Sequence, residues 1–150
     1  MAVNRRSIHS ISQSLVMAPS ETSLRHHLKK LNIDDLELLN SQILTHNVDK
    51  VLKIGHSYQF AIDFTHDPYY GTIVEENEDY VLRNRLKKST TEFYSYITLY
   101  VITKDRQYTL AVFPVSQGFS KVHYIAQSID VITKLGLQIE ALCLDREFYS

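Results

Sequence analysis

An aspartate sits inside what otherwise reads as a buried strand. Phe60, Ala61, Ile62 and Phe64 surround Asp63 and leave no obviously wet face. A lone carboxylate taken out of water costs several kcal/mol unless it is paired or bound to a metal. The chain must therefore fold so that Asp63 meets a partner. The search for that partner limits the architectures that the remaining residues can build.

The length of 150 residues suits one domain with a real core, or a small helical piece followed by part of a domain. Hydrophobic residues make up 44% and charged residues 22%, an ordinary globular balance that argues against a disordered chain. The net charge of −1 favours neither nucleic acid nor an acidic partner. Residues 1–56 carry seven basic and five acidic side chains, and residues 57–150 carry nine and twelve. That asymmetry is mild. The one cysteine, Cys143, excludes an internal disulfide and a cysteine-rich zinc site. Its neighbours Ala141, Leu142 and Leu144 predict a buried, inert thiol. No apolar run reaches the ~18 residues of a membrane span. The N-terminus lacks the continuous apolar region of a signal peptide. A soluble, cytoplasmic protein with no membrane partner is expected.

Residues 1–19 predict a loose segment with a short helix around Ile8 to Met17. Pro19-Ser20-Glu21-Thr22-Ser23 carries helix-start chemistry, and Leu24, Leu28 and Leu31 follow at helical spacing. Arg25, His26, His27, Lys29 and Lys30 occupy the other face, and Asn32 ends the helix. That face is either a DNA-contacting surface or a solvated one. Asp34 and Glu37 resemble a capping box. Leu36, Leu39, Ile43, Val48, Val51 and Leu52 trace one side of a second helix over 34–52, and Gly55 suits a left-handed position after it. The reading is a helical module over residues 1–56 and a second domain over 57–150.

The second domain opens with the strand around Asp63 and a turn at Asp67-Pro68-Tyr69-Tyr70-Gly71. The opposed charge blocks of 75–88 predict an exposed loop whose basic half could touch phosphates. Phe93–Thr103 and Tyr108–Val115 are rich in β-branched and aromatic residues and predict a hairpin. Ser120 caps a helix with Val122, Ile125, Ile129 and Ile132 on its apolar side, and Gly136 stops it. Leu137–Leu144 predicts a buried parallel strand. The fold class is mixed α+β and α/β. A crossover helix returns the fourth strand beside the first, in sheet order 3-2-1-4. Asp63, late in the first strand, and Asp145, at the end of the fourth, then project at one end of two adjacent parallel strands. Open α/β sheets build sites there. Each aspartate alone is commonly a turn former. As a pair they repel unless a cation lies between them, and Mg2+ or Mn2+ suits an all-oxygen donor set.

Two blocks carry a resemblance. Ala61-Ile62-Asp63-Phe64-Thr65-His66-Asp67-Pro68-Tyr69-Tyr70-Gly71 resembles the first catalytic block of DDE-type insertion-sequence transposases, and Leu142-Cys143-Leu144-Asp145-Arg146-Glu147-Phe148-Tyr149-Ser150 resembles the second. The resemblance covers residues 57–150 and implies an incomplete ribonuclease H-like sheet. It implies metal-dependent cleavage and strand transfer of DNA, with Asp63 and Asp145 as catalytic, metal-binding carboxylates. Thr65 would support the site, Arg146 would contact DNA phosphate or a carboxylate, and Arg25, Lys29 and Lys30 would contact DNA. The partners would be the element ends and target DNA in the nucleoid, and a homodimer is compatible with the reading. The family's third acid is a glutamate on a helix well downstream of the second aspartate. Glu147 is too close to Asp145 to serve. The expectation is therefore the front part of a longer transposase, inactive by itself. A non-catalytic DNA-binding or regulatory product, another ribonuclease H-like nuclease, and an unrelated domain whose aspartates form turns are the alternatives.

Overall fold

The structure is a computed structural model that describes residues 13, 19–30, 33–48, 50–118 and 120–149, without the side chains of 33–37 and 47. All but Gln13 of the expected helix around Ile8 to Met17, Leu31 and Asn32 at the end of the next predicted helix, and the Asp34–Glu37 capping pair lie outside the described residues and side chains. The chain divides into two compact units, 1–39 and 40–150.

In the first unit, helix α1 runs over Glu21–Leu28. The Ser20 hydroxyl accepts from the Ser23 N–H at 3.2 Å, and Glu21 pairs with Arg25 at 2.7 Å, one turn along. Helix α2 covers Ile33–Val48 and runs through the boundary between the units. It ends four residues earlier than its apolar spacing predicts. Val48 lies in the core of the second unit, and Val51 and Leu52 form a turn on its carbonyl. Gly55 is left-handed, with φ of +79°, as expected. Its place is a later turn, where its N–H reaches the Gly136 carbonyl at 2.7 Å, so it does not cap α2.

The second unit is a five-stranded mixed sheet: β1 Ser57–Pro68, β2 Val81–Lys87, β3 Thr90–Ile102, β4 Gln107–Pro114 and β5 Gln138–Leu144. The order is β2-β3-β1-β5, and β4 also pairs with β3. β3 is long enough to hold β2 along Thr90–Tyr94 and β4 along Tyr96–Ile102 on one edge. β1 lies antiparallel to β3 and parallel to β5. The four predicted strands thus keep their expected neighbours. The fifth, β2, falls where a loop was expected. Its pairing with β3 overrides the hydrophilic pattern, because an edge strand can be wet on most of its surface.

Strand alternation separates two sheet faces. Phe60, Ile62 and Phe64 pair with Val101, Leu99 and Ile97 on one face, which forms the core. Burial of so many large side chains is the main stabilising term of the unit, at about 1.5–3 kcal/mol each. Helix α3, Lys121–Lys134, belongs to this core through Tyr124, Ser128 and Ile132. That face is rotated from the predicted one: Val122 is 73% exposed. The helix instead buries Tyr124 and Ser128, whose hydroxyls are bonded. Tyr124 donates its hydroxyl to the Pro114 carbonyl and accepts from the Ser116 N–H, and Ser128 donates to the Tyr124 carbonyl. Gly136, at φ +67°, ends the helix as expected, with N–H bonds from Gly136 to Thr133 and Leu137 to Ile132.

Two further expectations are corrected. Asp67 and Pro68 remain in β1, paired with Tyr94 and Phe93, so the turn begins after them. Proline is tolerated there because β5 ends opposite Ile62 and leaves that side of β1 without a partner strand. β5 is parallel as predicted, but it pairs only with β1 and is mostly exposed. Cys143 is accordingly exposed rather than buried. Its apolar neighbours alternate to the core face, while it points to the other.

Candidate functional site

β1 and β5 pair in parallel as far as Ile62 and Leu144, and the Asp145 N–H continues the ladder to the Ile62 carbonyl at 3.0 Å. The next residues, Asp63 and Asp145, therefore leave the two strands side by side. By alternation both lie on the face opposite the core. Each carboxyl group is close enough to shift the acidity of the other. The Thr65 hydroxyl, two residues along the same face, donates to Asp63 Oδ2 at 3.4 Å. The Phe64 N–H donates to Asp145 Oδ2 at 3.4 Å, and the Glu147 N–H to Asp145 Oδ1 at 3.3 Å.

The two acids are pushed apart in acidity. Desolvation and then the adjoining Asp145 raise the pKa of Asp63 above that of an ordinary aspartate. Desolvation also acts upward on Asp145. The N–H groups of Glu147 and Phe64, the Asp63 carboxyl and the Arg146 N–H together outweigh it and leave Asp145 lowered. The same neighbourhood thus raises Asp63 and lowers Asp145. The linkage follows in sign. Asp63 binds its proton more tightly folded than unfolded, so its contribution is favourable in acid and is lost as pH rises through its folded pKa. Asp63→Asn is expected to raise the Tm of the metal-free protein at pH 7. That advantage should shrink to nothing below the ordinary aspartate range. A pH series of thermal melts measures it, and a pH-independent difference would contradict the coupling.

The donor set suits a hard divalent cation. Two carboxylates meet, and among the described residues neither has an ion-pair partner. Mg2+ keeps several waters and is commonly held by one or two carboxylates. Among the described residues no group of three or more His, Cys, Asp or Glu side chains gathers as a metal cage.

A second cluster escaped the sequence reading. His66, three residues after Asp63, falls on the core face of β1. Its Nε2 lies 2.9 Å from Glu147 Oε2 and 3.2 Å from Asn84 Nδ2, and its Nδ1 lies 2.7 Å from Ser95 Oγ. Both ring nitrogens therefore face polar partners, Nε2 toward the Glu147 carboxylate and Nδ1 toward the Ser95 hydroxyl. The ring packs against Phe64 and Phe93, at 4.8 and 5.8 Å between centroids. Lys121 Nζ donates to the Glu147 carbonyl, and Phe148 meets Phe64 at 6.2 Å. These contacts fasten the 3-10 turn Arg146–Tyr149, which begins right after Asp145. The available signal was alternation: a histidine on an apolar strand face needs buried partners.

The other candidates lie elsewhere. Arg146 is exposed and adds its backbone N–H to Asp145. Arg25 bonds Glu21 through Nε and Nη2 at 3.0 and 2.7 Å, which occupies part of the fork proposed for phosphate. Lys29 and Lys30 are exposed just past the end of α1, where cations complement the helix dipole. They belong to the first unit, whereas the carboxylate pair belongs to the second. Comparisons with protein-family models, with curated proteins and with solved structures find no match for this chain.

Proposed function

We propose that the chain is a DDE-type insertion-sequence transposase sequence, with a ribonuclease H-like sheet unit and a divalent-metal site at Asp63 and Asp145. One observation carries the reading: the parallel register of β1 and β5 sets two carboxylates side by side at the sheet end, with no cationic side chain paired to either among the described residues. A turn-forming role would not require the two acids to meet. In this reading both hold Mg2+ or Mn2+. Thr65 orients Asp63, and the Phe64 and Glu147 N–H groups orient Asp145. The bound ion would supply Lewis-acid activation of a water or 3′-hydroxyl in phosphodiester transfer. DNA is the substrate, and the process served is transposition. Two carboxylates can hold a hydrated ion, but they leave it short of the donors that fix both attacking and leaving oxygens. The chain by itself is therefore expected to bind metal without cutting DNA.

The test is Mn2+ titration followed by electron paramagnetic resonance, beside a nicking assay on duplex DNA carrying the element ends. Saturable binding that Asp63→Ala and Asp145→Ala each abolish is expected, with no nicks. Binding unchanged in both variants would remove the metal site. Strand transfer by the chain alone would overturn the statement that it is inactive.

A further inference from the structure

We infer that the β2–β3 hairpin is a seat for duplex DNA backbone, on the same sheet face as the carboxylate pair. The inference rests on the proposed DNA substrate and adds where on this chain it lies. Arg83, Arg85, Lys87 and Lys88 bring four cations within six residues, and all four are exposed. Among the described residues none of them is in an ion pair. A solvated basic strand ordinarily alternates its charge or finds a cross-strand acid. Arg83 does lie opposite Glu92 in the register, yet no salt bridge forms between them.

The faces follow from β3, which runs unbroken from Thr90 to Ile102. Thr98 is opposite Asp63, Glu92 is opposite Arg83, and Thr90 is opposite Lys87. Residues 90, 92 and 98 share parity, so Arg83 and Lys87 stand on the Asp63 face. The register shift between them adds residues to β2 without changing that outcome. Eight residues of β3 separate the Asp63 row from the Lys87 row, about 27 Å at ~3.4 Å per residue. The acidic side chains Glu75, Glu76, Glu78 and Asp79 precede β2 at its far end. Val81 lies opposite Tyr94 and Lys87 opposite Thr90, so four residues of β3, about 14 Å, separate that end from the tip, somewhat more than the ~10 Å screening length at 0.1 M salt.

The tip is held in an uncommon shape. Lys88 and Ser89 have φ of +51° and +64°, the left-handed pair of a two-residue hairpin turn that favours Asn-Gly. The Tyr70 hydroxyl donates to the Lys88 carbonyl at 2.6 Å and ties the turn to the chain after β1. The cations are thus carried on a braced ribbon. Duplex DNA presents one phosphate charge per ~1.7 Å of axis, so a span of about 27 Å matches roughly 8 base pairs. Between the two rows Tyr69 packs on Tyr94 and Val81 is buried, so a duplex running from the carboxylate pair passes over this covered stretch before it meets the positive tip.

The experiment is fluorescence anisotropy of a labelled duplex of about 20 base pairs, from about 50 to 200 mM salt, with the full chain. Arg85→Gln/Lys87→Gln/Lys88→Gln is compared with wild type, and Arg83→Gln/Arg85→Gln serves as a second variant. Thermal melts check that both stay folded. The expected result is a loss of about tenfold or more at low salt, with the log–log salt slope shallower by ~0.9 per contact removed. Wild-type binding with unchanged affinity and slope in both variants overturns the hairpin seat and leaves the metal site standing. Failure of wild type to bind any duplex overturns the seat and the DNA substrate together, while Mn2+ binding separately judges the carboxylates. Loss of binding to phosphatidylserine vesicles in the variants, with duplex binding intact, assigns the surface to a membrane and also overturns it.

Discussion

Replacing His66 with alanine should destabilise the chain by about 2–4 kcal/mol. The components are separable. Ser95 is 2% exposed and loses its hydroxyl's partner, a deletion that ordinarily costs about 1–3 kcal/mol. Ring contacts to Phe64 and Phe93 add about 0.5–1.5 kcal/mol. The Glu147 carboxylate is more exposed and can return to water, so its loss counts for less. For a chain of this size each kcal/mol moves Tm by about 2–4 °C, so a fall of ~5–15 °C is expected. His66→Gln keeps one bond of the cluster and should cost less. Urea denaturation of the two variants measures the difference. An unchanged midpoint for His66→Ala would show that the cluster does not hold the C-terminal turn.

The consequence reaches the carboxylate pair. Asp145 is positioned on one side by the β1–β5 ladder and on the other by the N–H of Glu147, the residue that His66 holds. Loosening Glu147 removes one of the donors that keep Asp145 anionic. His66→Ala should therefore weaken Mn2+ binding in the protein that remains folded, without touching either ligand.

Divalent metal should stabilise the wild-type chain strongly. A ligand that binds only the folded state at a hundred times its Kd adds about 2.7 kcal/mol. At ~2–4 °C per kcal/mol this is a rise in Tm of about 5–10 °C. The gain should vanish in Asp63→Ala/Asp145→Ala, which removes both donors and their mutual repulsion. Without metal the double variant loses Asp63, whose raised pKa opposes folding at pH 7, and Asp145, whose lowered one favours it, so its Tm should stay close to wild type. Thermal melts against Mn2+ concentration settle both points. An equal rise in the double variant would place the metal elsewhere.

Much of the architecture was legible in local pattern. Ser20 and Ser120 cap helices as their positions suggest, Gly136 ends α3, and the four strongest apolar runs are strands in the expected neighbourhood. The meeting of Asp63 and Asp145 was also legible, as a consequence of strand order. The errors share a cause. β2 has no apolar period to read, since its stability comes from pairing with β3. The buried side of α3 was set by Tyr124 and Ser128, whose polar atoms are satisfied only by particular carbonyls and N–H groups nearby. Cys143 sits in an apolar run, but β5 is an edge strand that packs Leu142 and Leu144 on the core and leaves Cys143 on its open side.

The sequence by itself determined that Asp63 stands late in a strand and Asp145 just after another, and that a parallel return would join them. Those statements depend on spacing and residue type along the chain. Only the tertiary structure decided that Glu147 turns to His66, that Ser95 and Asn84 complete that cluster, and that the basic hairpin shares the carboxylate face. These depend on which residues 18 to 81 positions apart come into contact, and on strand parity across a paired neighbour. Side-chain alternation is a local rule, but the face it points to is defined only once the sheet has formed and one side of it has been covered.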